Sequence, residues 1–107
     1  MSTLITKDSR TPLHIAANRG KLEICDYLLQ NRTIGALIDV SDKKGQTPLM
    51  HDVKSYKTKV VKMLVSADDS MINNMDEAGW TVLHFAASNG CLEITKIFKT
   101  WHNIRDH

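Results

Sequence analysis

Aromatic residues are scarce: two Trp, two Tyr and two Phe make up 6% of the 107 residues. A core must therefore come from aliphatic packing. Cysteine is sparser still, with only Cys25 and Cys91. Neither zinc-site nor redox-pair spacing is present, and a small secreted fold would need more staples than the one disulfide these could make. Two prolines and five glycines exclude a collagen-like chain and a Pro/Gly-rich disordered one. No stretch approaches the roughly 18 apolar residues that span a bilayer. The segment from Met1 to Asp8 has no apolar run of signal-peptide length and is charged by Lys7. The expectation is an intracellular protein, cytoplasmic or nuclear, in which the Asn31-Arg32-Thr33 sequon is unused. A large charge of one sign is also missing. Fourteen Lys and Arg against twelve Asp and Glu leave +2, too little to make a polyanion the default partner.

What is present is one domain's worth of polymer, residues 1–107, with 42% hydrophobic and 24% charged residues, ordinary for a globular chain. A domain this short buries only about two thirds of its unfolded surface, so its stability should be modest.

The chain repeats itself. Thr11-Pro12-Leu13-His14-Ile15-Ala16-Ala17 aligns with Thr47-Pro48-Leu49-Met50-His51-Asp52-Val53 and with Thr81-Val82-Leu83-His84-Phe85-Ala86-Ala87. The threonines are spaced by 36 and then 34 residues. Upstream, Asp42 to Gln46 matches Asp76 to Trp80; downstream, Leu28-Leu29 matches Leu64-Val65 and Ile97-Phe98. Each feature has a local reason. Threonine before proline is an N-cap followed by the one helical position where proline's fixed φ and missing N–H cost nothing. Gly20 and Gly90 suit the left-handed residue that ends a helix, so the first helix of each unit is about two turns long. A second helix follows: Leu22, Cys25, Leu28 and Leu29 share one face, as do Ile94, Ile97, Phe98 and Trp101. Gly45 and Gly79 mark tight turns before the next threonine.

With Gly20, Asp76 and Gly79 in register, these segments resemble the ankyrin repeat over about residues 6–103. The resemblance implies an all-α solenoid of stacked helix-turn-helix units joined by β-hairpin fingers. The repeats would run about 6–41, 42–75 and 76–107, with fingers centred on Lys43-Lys44-Gly45 and Glu77-Ala78-Gly79 and a partial one at Asp8-Ser9-Arg10. It further implies that fingers and first helices form a concave face that binds protein, and that His14 and His84 hydrogen-bond structurally.

The middle unit departs most. Met50 replaces the histidine, Asp52 the first alanine and Tyr56 the glycine. A side chain forced into the left-handed region costs on the order of 1 kcal/mol, and a buried unpaired carboxylate costs several, so Asp52 should find a partner or reach water. Drift and adaptation to a ligand both account for these changes. The last helix is apolar enough through Trp101 and Ile104 to want a neighbour, so the stack is expected either to belong to a longer array or to cover an end with another chain; end-to-end self-association is one form of this.

No phosphate loop, dinucleotide fingerprint, HExxH or GxSxG occurs, neither cysteine has an adjacent histidine to activate it, and His102 and His107 lack a helical ligand spacing. A non-catalytic chain without cofactor or metal is expected. Lys43, Lys44, Lys54, Lys57, Lys59 and Lys62 are opposed within their segment only by Asp52; they suit a solvated face, a patch for an acidic protein or, with Tyr56 alone to stack on bases, nucleic acid. Asp68, Asp69, Asp76 and Glu77 blunt the field. The leading expectation is a protein–protein interaction module, with regulatory packing in cis inside a larger protein as the alternative. Candidate partner-binding residues are those that vary while the scaffold around them repeats: Arg10, Asn18 and Arg19; Lys43, Lys44, Gln46, His51, Lys54 and Ser55; Glu77, Trp80, Ser88 and Asn89. His51 shares its column with Ile15 and Phe85, which suits the binding face or the core equally. Trp80 suits an exposed anchor or packing against a finger. Asn73 falls at the family's loop asparagine, a position open to hydroxylation in that family.

Overall fold

The computed structural model describes residues 6–31 and 38–105, with side chains as far as Thr100. Arg32 and Thr33 of the sequon, His107 and the side chains of Trp101, His102 and Ile104 lie outside the described residues. Six helices follow one another: α1 (Pro12–Asn18), α2 (Leu22–Gln30), α3 (Pro48–Lys54), α4 (Thr58–Ala67), α5 (Val82–Asn89) and α6 (Leu92–Arg105), with a 3-10 turn at Asp69–Met71. No strand forms among the described residues, so the fingers are hydrogen-bonded turns without a strand ladder.

The threonine signal operates as expected. Thr11 Oγ1 accepts the His14 amide and Thr47 Oγ1 the Met50 amide, each at 3.3 Å, ahead of Pro12 and Pro48. His14 closes the box by accepting the Thr11 N–H on Nδ1 at 3.0 Å, and His84 does the same for Thr81. Behind each short helix the chain reverses through a left-handed residue: Gly20 (φ 69°), Tyr56 (φ 60°) and Gly90 (φ 71°). The following amide returns to the helix each time, Lys21 to Ala16, Lys57 to Asp52 and Cys91 to Ala86. Tyrosine thus takes the glycine turn unchanged, and its hydroxyl donates to the Asn89 carbonyl at 3.2 Å.

α1, α3 and α5 pack side by side, and α2, α4 and α6 form a second layer behind them. Between the layers lie Leu13, Ala17, Cys25, Leu49, Met50, Val53, Val61, Leu64, Val82, Ile94 and Phe98, all buried. Met50 fills as core the place that His14 holds in repeat one. Asp52 does not meet the expectation set for it: its carboxyl is fully buried, and neither oxygen has a hydrogen-bond partner among the described residues. Burial pushes this acid well above the ordinary carboxyl range, and the nearby Val53 amide opposes the shift without cancelling it. The site thus favours the neutral acid, where alanine stands in the other repeats.

The fingers share one turn. In the second, the Asp42 amide donates to the Gln46 carbonyl (2.9 Å) and Asp42 Oδ1 accepts the Lys44 and Gln46 amides (3.0 and 2.9 Å). Asp76 builds the third identically with Ala78 and Trp80. The first finger, which the sequence suggested to be partial, makes the same turn with one fewer side-chain bond. Thr6 Oγ1 replaces the aspartate by accepting the Arg10 amide at 3.1 Å, and Ser9 takes the left-handed place (φ 62°). Fingers also bond to one another, Lys43 N–H to the Asp8 carbonyl (2.8 Å) and Glu77 N–H to the Lys44 carbonyl (2.9 Å). A Cβ on Gly45 would meet the Glu77 nitrogen at 3.0 Å, so the close approach of finger three and a φ of 77° both require glycine there.

Candidate binding face

Fingers one and two and helices α1 and α3 enclose a groove. One cleft of about 230 Å³ is lined by Arg10, Ile15, Asn18 and Arg19, with His14 and His51 also on its wall. A neighbouring one of about 330 Å³ lies among Asp8, Arg10, Asp42, Lys43 and Lys44.

Beneath the groove runs a buried polar network. His51 Nε2 lies 2.8 Å from Asp42 Oδ2, and Asn18 Nδ2 lies 3.4 Å from His51 Nδ1. An ionised carboxylate only accepts and an amide nitrogen only donates, so His51 carries its proton on Nε2 and is neutral. His14 accepts from Thr11 on Nδ1 and donates Nε2–H to the Gln46 carbonyl at 2.9 Å. The two rings meet edge to face with centroids 5.3 Å apart. Burial pushes both imidazoles below their ordinary value of 6.5; the Gln46 carbonyl and the Asp42 carboxylate respectively oppose the shift without cancelling it. Burial also pushes Asp42 up, but the His51 bond and the Gln46 and Lys44 amides outweigh it and hold the carboxyl below its ordinary value. His14, Asp42 and His51 offer donor atoms within 4.8 Å of one another. Each imidazole lone pair is already directed at a donor, and the Arg10 guanidinium stands 3.5 Å from Asp42, so the trio works as a hydrogen-bond network that ties finger two to α1 and α3 rather than as a ligand set.

Above this network the polar groups are cationic. Burial, then repulsion from Lys44 and Arg10, pushes the Lys54 ammonium down, although its Nζ donates to Gln46 Oε1 at 2.8 Å. The same Nζ stands 5.7 Å from the centre of the Phe85 ring. Gln46 passes the link on, donating from Nε2 to Asp76 Oδ2 at 3.3 Å.

The candidate residues therefore divide. Arg10, Asn18, Arg19, Lys43, Lys44 and Lys54 gather around the groove. Gln46 and His51 are buried and spent on internal bonds. Asn89 is likewise committed, donating to the Val53 and Lys54 carbonyls at 3.1 and 3.2 Å. Ser55 caps α3 half-buried, while Glu77 and Ser88 are exposed. Trp80 is 37% exposed and stacks obliquely at 5.0 Å on Phe85 of α5, not on a neighbouring finger. Groove residues outside the candidate set include Asp8, His14, Asp42 and Ile15, with Phe85 beside Lys54. Ile15 and Phe85 share one column. The lysine-rich segment does not form one patch. Lys43 and Lys44 line the groove and Lys54 is tied to Gln46 and Phe85, whereas Lys57 lies under Gly20 and Lys62 sits 3.9 Å from Glu93 behind.

Comparison with known proteins places this geometry in context. The family profile described as ankyrin repeats, in three copies, matches residues 13–105. Similar chains include the human transient receptor potential cation channel subfamily A member 1, 35% identical over 92 residues, which are 86% of this chain and 8% of that protein. An ankyrin repeat-containing protein of Schizosaccharomyces pombe is 34% identical over 95 residues, 87% of this chain and 40% of its own length. Human Rabankyrin-5 is 35% identical over 75 residues, 70% of this chain and 6% of that protein. The chain thus spans well under half of each of these relatives.

Proposed function

Because the chain belongs to the ankyrin-repeat family, we propose that it is a non-catalytic protein–protein interaction module, working inside the cell, whose groove between the fingers and the short helices receives a partner segment. Repeats of this family bind protein partners generally, and among the described residues no helix is long and apolar enough to cross a membrane. The observation that carries the reading is the clustering of Arg10, Lys43 and Lys44 along a preformed groove that also exposes Ile15, with Lys54 and part-exposed Trp80 meeting at Phe85 on the next repeat. Cations there suit an acidic partner segment, and the aromatic and aliphatic faces suit its apolar anchors. The rim is braced by bonds between fingers, so little ordering entropy is lost on binding.

Pull-down with the wild type and with Lys44→Ala and Trp80→Ala variants tests this. A partner lost from both variants, with helicity retained, supports the groove; undiminished capture places the site on the convex side or the ends. Packing in cis against the rest of a larger protein is a second reading, favoured by the small share of each relative that the chain spans. Nucleic-acid binding has less in its support, since the lysines diverge.

A further inference from the structure

Each joint between repeats uses the same parts, and the two ends of the stack present the two unmatched halves of that joint. The finger bonds are periodic: Lys43 N–H reaches the Asp8 carbonyl and Glu77 N–H the Lys44 carbonyl. Next in this series stands the Ala78 carbonyl, which no donor reaches among the described residues, and the series begins with the Lys7 N–H, which reaches no acceptor among them. His14 donates Nε2–H to the Gln46 carbonyl of the following finger. His84 is held by Thr81 in the same pose, yet its Nε2 is exposed and without a partner among the described residues. The carbonyl matching that of Gln46 on the first finger is Arg10's; like Gln46, it takes one amide from its own turn and keeps a lone pair.

The apolar surfaces follow the same rule. Leu13 and Leu49 are 0% and 1% exposed where a repeat follows, but Leu83 is 44% exposed. Ala17 and Val53 are buried, whereas Ala87 is exposed. At the opposite end Val60 and Ile94 are 1% and 0% exposed where a repeat precedes, but Ile24 is 53% exposed, with exposed Tyr27 beside it. Seating finger one against finger three brings Lys7 to the finger that carries Glu77, so the charges are complementary as well.

We propose that this chain associates head to tail with a second copy, the α5 and finger-three end of one molecule docking the α2 and finger-one end of the next. The occupant is a second copy because this chain itself supplies both halves: the Lys7 amide for the Ala78 carbonyl, the Arg10 carbonyl for His84 Nε2, and Ile24 with Tyr27 against the layer that leaves Leu83 and Ala87 bare. Such an interface is heterologous and does not close on itself, so copies add at either end. It uses the ends of the stack and shares only finger one with the groove.

Sedimentation velocity on the full 107-residue chain, from micromolar to millimolar, tests the proposal. The mass should rise with concentration from the 12.1 kDa monomer through dimer to longer species. Ile24→Glu blocks one end and Leu83→Glu the other, so each alone should remain monomeric. An equimolar mixture should form a 1:1 dimer and stop, because one intact end remains on each partner. Ala87→Arg, on an exposed position, should substitute for Leu83→Glu if the latter loses helicity. A wild type that stays monomeric throughout overturns the proposal, as does association that survives in both single variants or a mixture that does not dimerise.

Discussion

His51 donates its Nε2 proton to Asp42 across 2.8 Å, with both side chains almost fully buried. That bond joins α3 to the turn of its own finger, and Asn18 reaches the other ring nitrogen from α1. One imidazole thus fixes the relation of two repeats at the base of the groove. A neighbouring imidazole, His14, fixes the finger from the other side through the Gln46 carbonyl.

Acid should loosen this arrangement. Both imidazoles are held below their ordinary 6.5, so under mildly acidic conditions the unfolded chain binds protons there that the folded chain refuses. Stability therefore rises with pH across the window between the folded values and 6.5. Asp42, held low, adds a loss at still lower pH as the carboxylate is protonated. The raised acid Asp52 acts with the opposite sign, since the folded chain keeps a proton that the unfolded one releases above 3.8. An Asp52→Asn background removes that opposing slope. In it, the urea midpoint should be lower at pH 5.5 than at pH 7.5, and adding His51→Gln should flatten the difference.

Replacing Asp52 by alanine should stabilise the protein. The side chain is wholly buried and unbonded, and an unsatisfied buried polar group costs about 1–3 kcal/mol, against a small loss from the trimmed volume. The contribution of Asp52 to stability declines as pH rises above 3.8, the ordinary value for this group, so the variant's advantage over the wild type should grow with pH. Urea titrations from pH 5 to 9 measure both effects. If the substitution also leaves partner capture unchanged, the residue is drift in a tolerant repeat and not an adaptation to a ligand.

Tyr56 and Gly20 occupy the same turn and predict opposite outcomes. Tyr56 sits at φ 60°, so Tyr56→Gly should relieve left-handed strain of about 1 kcal/mol, reduced by glycine's extra freedom in the unfolded chain and by loss of the exposed bond to Asn89. Gly20→Ala should instead destabilise by about 1 kcal/mol or more, because its φ is 69° and the new Cβ would stand 2.7 Å from Lys57 Cδ. Paired thermal melts decide it; a loss on Tyr56→Gly would mean that the hydroxyl bond outweighs the strain.

The repeats, caps and left-handed turns were legible because each depends on residues a few positions apart: Thr11 with His14, Ala16 with Gly20, Asp42 with Gln46. The groove was only half legible. Asp42 aligns visibly with Asp76, but only the fold of finger two against α3 and finger three reveals that Asp42 accepts from His51 Nε2 while Asp76 accepts from Gln46. Variation between units suggests binders, but Asn89 varies for another reason: it crosses to α3 and holds two carbonyls there. The first finger looked partial because Thr6 and Ser9 replace the aspartate and glycine of the other two, although a hydroxyl can accept the same amide.

The two cysteines should differ sharply in reactivity. Cys25 is fully buried, and burial pushes its thiol up to about 11. The thiolate is the nucleophile, so at pH 8 Cys25 is both protonated and sheltered. Cys91 lies partly exposed at the turn before α6. Iodoacetamide at pH 8 should therefore modify one thiol per native chain, located by peptide mapping at Cys91, and reach the second only after urea unfolds the stack. The Cys25 labelling rate then reports opening of the α2 layer. Because Asp52→Ala should stabilise that layer, it should slow the Cys25 reaction while leaving Cys91 unchanged; equal rates at the two sites in the wild type would show that Cys25 is not sealed in the core.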